Sequence, residues 1–249
     1  MKALVTGASS GIGRDIAYEL ANKGYDLIVV ARRSDKLKEI KNSVSVKCQT
    51  VSCDLSDTKN CIKLCQWLVT EDVDVVVNCA GLGVFGEFTE TELQKEFDMI
   101  NVNITALHII TKYFTKKFIE ENRGYILNVS SSAAFAPGPM FSSYYATKAY
   151  VQRLSQAIAE EVKRKNVYIG TLCPGTVDTE FNSVAGVGTG VLAADSKKVA
   201  KYAINKMFKR KQIIIPGIKF KCAVFFSRFL PDAMLAKITC KFQKKKNNS

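Results

Sequence analysis

With 249 residues, 47% of them hydrophobic and 24% charged, the chain matches one large soluble α/β domain better than two small ones. Its net charge of +13 is unevenly placed: residues 1–196 carry 21 Lys/Arg against 22 Asp/Glu, and residues 197–249 carry 15 against Asp232 alone. A near-neutral body without aromatic–basic interleaving excludes a nucleic-acid surface there, and the basicity belongs to a tail.

Short β-branched runs alternate with helical patterns along the body. Strands are predicted at Ala3–Thr6, Leu27–Ala31, Lys47–Cys53, Val73–Asn78, Gly124–Ser130, Val167–Cys173 and Gln212–Ile215. Helical spacing fills the gaps at Ile12–Lys23, Ser34–Asn42, Asp57–Val69, Thr91–Asn122, Ser143–Lys165 and Ser196–Lys209. Strands separated by helices of that length imply right-handed crossovers and a parallel sheet covered on both faces. No run of 18 uncharged apolar residues predicts a membrane span. With a first strand predicted at Ala3 no targeting segment is expected, and the eight cysteines form no CxxC pair and no zinc spacing with His108. The expectation is a cytoplasmic protein with reduced, mostly buried thiols and no metal.

Two sets of residues carry chemistry. Gly7, Gly11 and Gly13, with Ser9, Ser10 and Ile12 between them, fall where the first strand turns into the first helix. Glycine tolerates the backbone angles of such a turn and lets a pyrophosphate approach N–H groups at the helix N-terminus. A tight turn alone would also use glycine, so position is the stronger signal. Farther on, Tyr144 and Lys148 lie four apart on a predicted helix, roughly 40° around its axis, and share a face. A phenol is a poor base at neutral pH, and a nearby ammonium favours its ionised form. Ser130, Ser131 and Ser132 precede this helix, and Tyr145 stands beside Tyr144 as a competitor.

These motifs resemble the short-chain dehydrogenase/reductase family, whose fingerprint is TGxxxGxG. The resemblance covers roughly residues 3–215 and includes NADP-dependent members related to 3-oxoacyl and hydroxysteroid reductases. It implies a single doubly wound, Rossmann-type domain with a seven-stranded parallel sheet over residues 1–215. It also implies the spacing that selects Ser131, Tyr144 and Lys148 as the catalytic set: thirteen residues from serine to tyrosine and four from tyrosine to lysine. By the same resemblance Asp54 and Leu55 meet the adenine, and Asn78, Ala80 and Gly81 close the fourth strand as the family's NNAG, with Cys79 at its second position. Pro174, Gly175, Val177 and Thr179 would line the nicotinamide. Asn101 is expected as the fourth catalytic residue, ordering a water on the lysine, with Asn103 as the nearby competitor and helix capping as the alternative role.

Cofactor choice is read at the end of the second strand. Ala31 stands where NAD-preferring enzymes carry an acid, and Arg32 and Arg33 follow, so NADPH/NADP is expected over NAD. The reaction implied is interconversion of a carbonyl and a secondary alcohol. Alternatives are an NADPH-sensing regulator without turnover and a membrane-surface lipid-binding protein. Leu82, Val84, Phe85, Met140 and Phe141 suggest an apolar pocket for a hydrophobic small-molecule substrate, such as an acyl thioester or steroid. Phe181–Asp195, with Gly186, Gly188 and Gly190, reads as a lid. The tail, residues 216–249, carries two apolar stripes, Ile218/Cys222/Phe225/Phe226/Phe229 and Met234/Leu235/Ile238/Phe242, with Lys237, Lys241 and Lys244 on another face. It is expected to pack on or cap the cleft, with peripheral membrane contact or a subunit interface as alternatives. Residues from Lys244 onward are expected to be disordered, and assembly into a homodimer or homotetramer is expected.

Overall fold

A computed structural model describes residues 1–187 and 193–247. β1 (Lys2–Thr6), β2 (Asp26–Ala31), β3 (Cys48–Ser52) and β4 (Val75–Asn78) alternate with α1 (Gly11–Asn22), α2 (Ser34–Ser43) and α3 (Thr58–Leu68). There follow α4 (Leu93–Ile100), α5 (Leu107–Glu120), β5 (Tyr125–Val129), α6 (Ser142–Glu161), β6 (Tyr168–Leu172), the short α7 (Glu180–Val184), α8 (Ser196–Phe208) and β7 (Ile213–Ile214). Among the described residues seven strands form one parallel sheet, in the order β3-β2-β1-β4-β5-β6-β7. Each strand lies within a few residues of its predicted span.

The sheet is buried on both faces, which is why its strands read as continuous apolar runs rather than alternating ones. Leu37 and Ile40 of α2 pack on one face beside Ile16 and Leu20 of α1 and Val199–Met207 of α8. Leu64 and Leu68 of α3 and Phe114 and Phe118 of α5 fill the other. Cys48, Cys61, Cys65 and Cys173 are buried free thiols, whereas Cys222 is exposed.

Two expectations need correction, and a third falls partly outside the described residues. The long helix predicted over Thr91–Asn122 is broken: Asn101–Ala106 forms a π-helical turn between α4 and α5. Asn101, Val102, Asn103, Ile104 and Thr105 are weak helix formers, and such a wider turn inserts one extra residue without ending the helix. In the predicted lid, Glu180–Val184 is helical as α7, and Ala194 returns to pair with Val177 as a parallel bridge. Gly188 and Gly190 lie outside the described residues. Lastly, the tail folds as α9 (Ile218–Ser227) and α10 (Asp232–Asn247), so Lys244–Asn247 are helical rather than disordered. Asn248 and Ser249 lie outside the described residues.

A polar network is sealed between β4, β5, α5 and α6. Asn78 Nδ2 donates to Asn128 Oδ1 at 2.8 Å and to Thr111 Oγ1 at 3.2 Å, and Asn128 Nδ2 donates to Ser155 Oγ at 2.9 Å. Asn78, Thr111, Asn128 and Ser155 are all at most 2% exposed. Removing the central amide would strand buried donors and acceptors that nothing else can satisfy. Asn128→Ala should therefore lower stability by about 2–3 kcal/mol, read as a lower urea midpoint; an unchanged midpoint would show the network to be dispensable.

Candidate active site

The loop after β1 is shaped by how closely backbones approach. Gly7 has φ +66°, and a Cβ there would come within 2.6 Å of the Ala80 backbone. One on Gly13 would come within 2.3 Å of the Gly7 carbonyl oxygen. Thr6 Oγ1 accepts from Cys79 N and Ala80 N at 3.1 and 3.2 Å, which ties this loop to the end of β4. The result is a bare backbone concavity at the N-terminus of α1, the geometry that takes a phosphate.

At the end of β2, Ala31 is followed by two exposed arginines. Arg33 donates to Ser9 Oγ at 3.2 Å and to Glu180 Oε2 at 2.8 Å, so it bridges the glycine loop and α7. Both partners of this ion pair are about half exposed, and an incoming anion can displace so weak a contact. The Glu180 carboxyl is held below its ordinary range by its hydrogen bond from Arg33. Asp54 Oδ1 accepts from Ser56 N and Ser56 Oγ, which fixes the turn after β3.

The proton-handling residues meet where β5 ends and α6 begins. Ser131 caps the turn at 132–135, its Oγ accepting from Ala133 N at 3.1 Å. Lys148 Nζ donates to Val129 O at 3.0 Å and lies 5.7 Å from the centre of the Tyr144 ring. Ser130 Oγ donates to Lys148 O at 2.7 Å, pinning α6 to the end of β5. Burial raises the Tyr144 phenol above its ordinary range, against a hydrogen bond with Ser131 that pulls it down. Burial also pushes the Lys148 ammonium down to about 8. Tyr144 stacks on Phe141 at 4.3 Å between ring centres, and Phe181 leans on it at 5.5 Å. Those contacts fix the ring while leaving its hydroxyl end toward Ser131.

Every expected site residue except Asn78 and Asn101 lines one cleft of about 520 Å³ along the C-terminal edge of the sheet. Asn78 turns its side chain away into the sealed network beneath the sheet. Neither asparagine of the π-turn lines the cleft, but Asn103 lies behind Gly81, which does. Asn103 is 1% exposed; its Oδ1 accepts from Leu82 N at 2.8 Å, and its Nδ2 donates to Leu82 O and Thr147 Oγ1. A Cβ built on Gly81 would lie 3.4 Å from both Asn103 Oδ1 and Lys148 Nζ, so the two flank one small gap. The half-buried Asn101 makes no side-chain hydrogen bond among the described residues.

The apolar wall also differs from expectation. Leu82 and Phe141 line the cleft, but Val84, Phe85 and Met140 do not; Val84 and Phe85 pack against the cluster around Met99 and Phe141. The wall is completed by Phe242 of the second tail stripe and by two residues outside both stripes, Phe220 of α9 and Gln243 of α10. Phe220 occupies the space beside Gly175, where a Cβ would come within 2.1 Å of its ring. Gln243 Nε2 donates to Tyr145 Oη at 2.8 Å, and Thr239 Oγ1 donates to Pro137 O at 2.6 Å. Phe220 lies on the face of α9 opposite its apolar stripe, and Gln243 shares an inward face of α10 with Leu235.

Residues 1–187 match the family model described as short chain dehydrogenase. A very-long-chain 3-oxoacyl-CoA reductase of Rattus norvegicus is 32% identical over 192 residues, which are 73% of this chain and 61% of that protein. One from Pyrenophora tritici-repentis is 31% identical over 218 residues, 82% of this chain and 62% of that protein. The match thus spans about three fifths of the length of these two relatives. A short-chain dehydrogenase from Sphingobium yanoikuyae, solved in complex with NADPH, superposes with a TM-score of 0.84 at 27% identity, covering 92% of this chain and 93% of that one. The glycine-rich turn, the parallel sheet and the family match agree: this chain belongs to the short-chain dehydrogenase family.

Proposed function

We propose that the protein is an NADPH-dependent oxidoreductase that interconverts a carbonyl and a secondary alcohol on a hydrophobic substrate. The observation that carries this reading is the convergence of Ser131, Tyr144 and Lys148 on the cleft that also holds the glycine loop. A sensor of NADPH would need the loop alone. Burying a lysine beside a tyrosine is costly, and a proton path gives that arrangement a use.

The residues fit a phosphorylated dinucleotide. Backbone N–H groups at the start of α1 would hold the pyrophosphate, Asp54 and Leu55 the adenine, Arg32 and Arg33 a 2′-phosphate, and Pro174–Thr179 the nicotinamide. When bound, the cofactor supplies or takes the hydride. Tyr144 donates the proton to the carbonyl oxygen in reduction and removes it from the alcohol in oxidation. Ser131 donates a hydrogen bond to the same oxygen and holds the reacting group in line. Lys148 keeps a positive charge beside the phenol and lowers the cost of forming phenolate. Asn103, in place of Asn101, positions the gap beside Lys148 through which a proton is resupplied. Leu82, Phe181, Phe220 and Phe242 offer an apolar wall, and the relatives named 3-oxoacyl-CoA reductases make a 3-oxoacyl thioester the first substrate class to test.

A screen of NADPH oxidation with 3-oxoacyl thioesters, ketosteroids and small diketones should find turnover. Tyr144→Phe should reduce that turnover by about 10²–10⁴-fold or more while leaving NADPH binding intact by fluorescence titration. Retained turnover in this variant would refute the mechanism. Arg32→Asp should shift the ratio of kcat/KM for NADPH over NADH by roughly tenfold or more toward NADH, the worth of one charged hydrogen bond; an unmoved ratio would reject the 2′-phosphate site.

The pH dependence follows from the two buried groups. Tyr144 stays protonated through neutral pH because burial raises it. Lys148 is an ammonium below about 8 and loses its proton above it. Reductive kcat/KM should therefore hold on the acid side and fall as pH climbs through about 8. Lys148→Met should be slow at every pH and lack that descending limb; a variant that keeps the limb would assign it to another group.

A further inference from the structure

The tail helices present outward the apolar side chains that their spacing would have buried. In α9 only Val224 is buried, with Phe220 turned onto Gly175, while Ile218, Phe225 and Phe226, and Phe229 just beyond the helix, are 55–71% exposed. Phe225 packs edge-on against Phe226 and Phe229 at 5.5 and 5.4 Å between ring centres. In α10 Leu235 and Gln243 face inward, and Met234, Ile238 and Phe242 face solvent. Both helices rest on the segment after β5. α9 packs on the turn at 132–135, and Thr239 donates to Pro137 O. The clustered rings of Phe225, Phe226 and Phe229 are exposed apolar surface of the kind that marks a contact site.

Three occupants can be weighed against the charge. No helix among the described residues is long and apolar enough to cross a membrane, so these helices do not span one. A second copy seated on this face would bring two strongly basic tails together, with Lys219, Arg228, Lys237, Lys241 and Lys244 of each flanking the contact and Asp232 the one acid of residues 216–249 to offset them. A two-fold contact repeats the same patch on both sides, so it repeats that repulsion. An anionic lipid surface satisfies both features, taking apolar side chains at the headgroup boundary and basic ones at the phosphates. We infer that α9 and α10 dock the protein on an anionic bilayer, lying in its interface with Phe225, Phe226, Phe229, Met234 and Ile238 inserted. Phe242 lines the cleft and is also 61% exposed beside this face. If the oxidoreductase reading holds, an apolar substrate then reaches the cleft from the lipid side.

The test uses the full chain with vesicles of phosphatidylcholine alone or doped with phosphatidylserine. The protein should sediment with the doped vesicles, and high salt should release it. Phe225→Ser/Phe226→Ser/Phe229→Ser and Lys237→Glu/Lys241→Glu should each weaken binding by about tenfold or more. These side chains are exposed, so both variants should keep the parent's unfolding temperature and its NADPH oxidation rate without vesicles. That rate also separates failure of the lipid proposal from failure of the oxidoreductase reading. Absence of binding to doped vesicles, equal binding to phosphatidylcholine alone, or undiminished binding by the triple serine variant would each overturn the proposal. So would sedimentation velocity showing a dimer that the triple variant dissolves, which would give the face to a second copy.

Discussion

β1 and β4 are parallel neighbours, yet the helices that follow them cover opposite faces of the sheet, α1 on one side and α5 on the other. Connections that leave adjacent strands in opposite directions cannot close over the strand ends, so a crevice opens there. The geometry of the cleft follows from this. The Gly7–Gly13 loop forms one bank and the Ala80–Leu82 segment the other, and Thr6 Oγ1 holds the banks at a fixed separation. β5 and β6, next in order, then deliver Ser131 and Pro174 to the same edge, and α6 between them in the chain brings Lys148.

The Asn103 amide makes the second indispensable tie. By pairing with both the N–H and the C=O of Leu82 and with Thr147 Oγ1, it joins the π-turn, the crevice bank and α6 at one point. The family resemblance points to its neighbour Asn101, whereas which of the two side chains is buried depends on helical phase. A regular helix over Thr91–Asn122 was the simplest pattern, and the wider turn at Asn101–Ala106 resets which side chain faces inward. Periodicity carries no mark of a one-residue insertion. The strands, the glycine loop and the Ser131–Tyr144–Lys148 spacing were legible for the opposite reason: each rests on a local rule that tertiary contacts reinforced.

The tail was legible as helices but not in its orientation. Amphipathic reasoning assigns the apolar stripe to the interior, whereas most of each stripe faces outward here. Here the inward faces use Phe220, Val224, Leu235, Thr239 and Gln243, a mixed set whose polar members form specific hydrogen bonds with Pro137 O and Tyr145 Oη. Asn78 was misread for a similar reason. A strand-end asparagine beside a cofactor motif suggests contact, whereas its amide is one partner in a buried network.

The Phe220 ring fills the position that a side chain at Gly175 would take. α9 therefore forms part of the wall against which the end of β6 presents Pro174 and Gly175 to the cleft. Movement of the helix off that glycine would remove one wall of the pocket. Any partner that binds the seated helix more tightly than the displaced one must, by thermodynamic linkage, tighten ligand binding in the cleft by the same factor that the ligand tightens its own. A displacement of α9 would thus be felt through one aromatic ring at both the outer surface and the inner site.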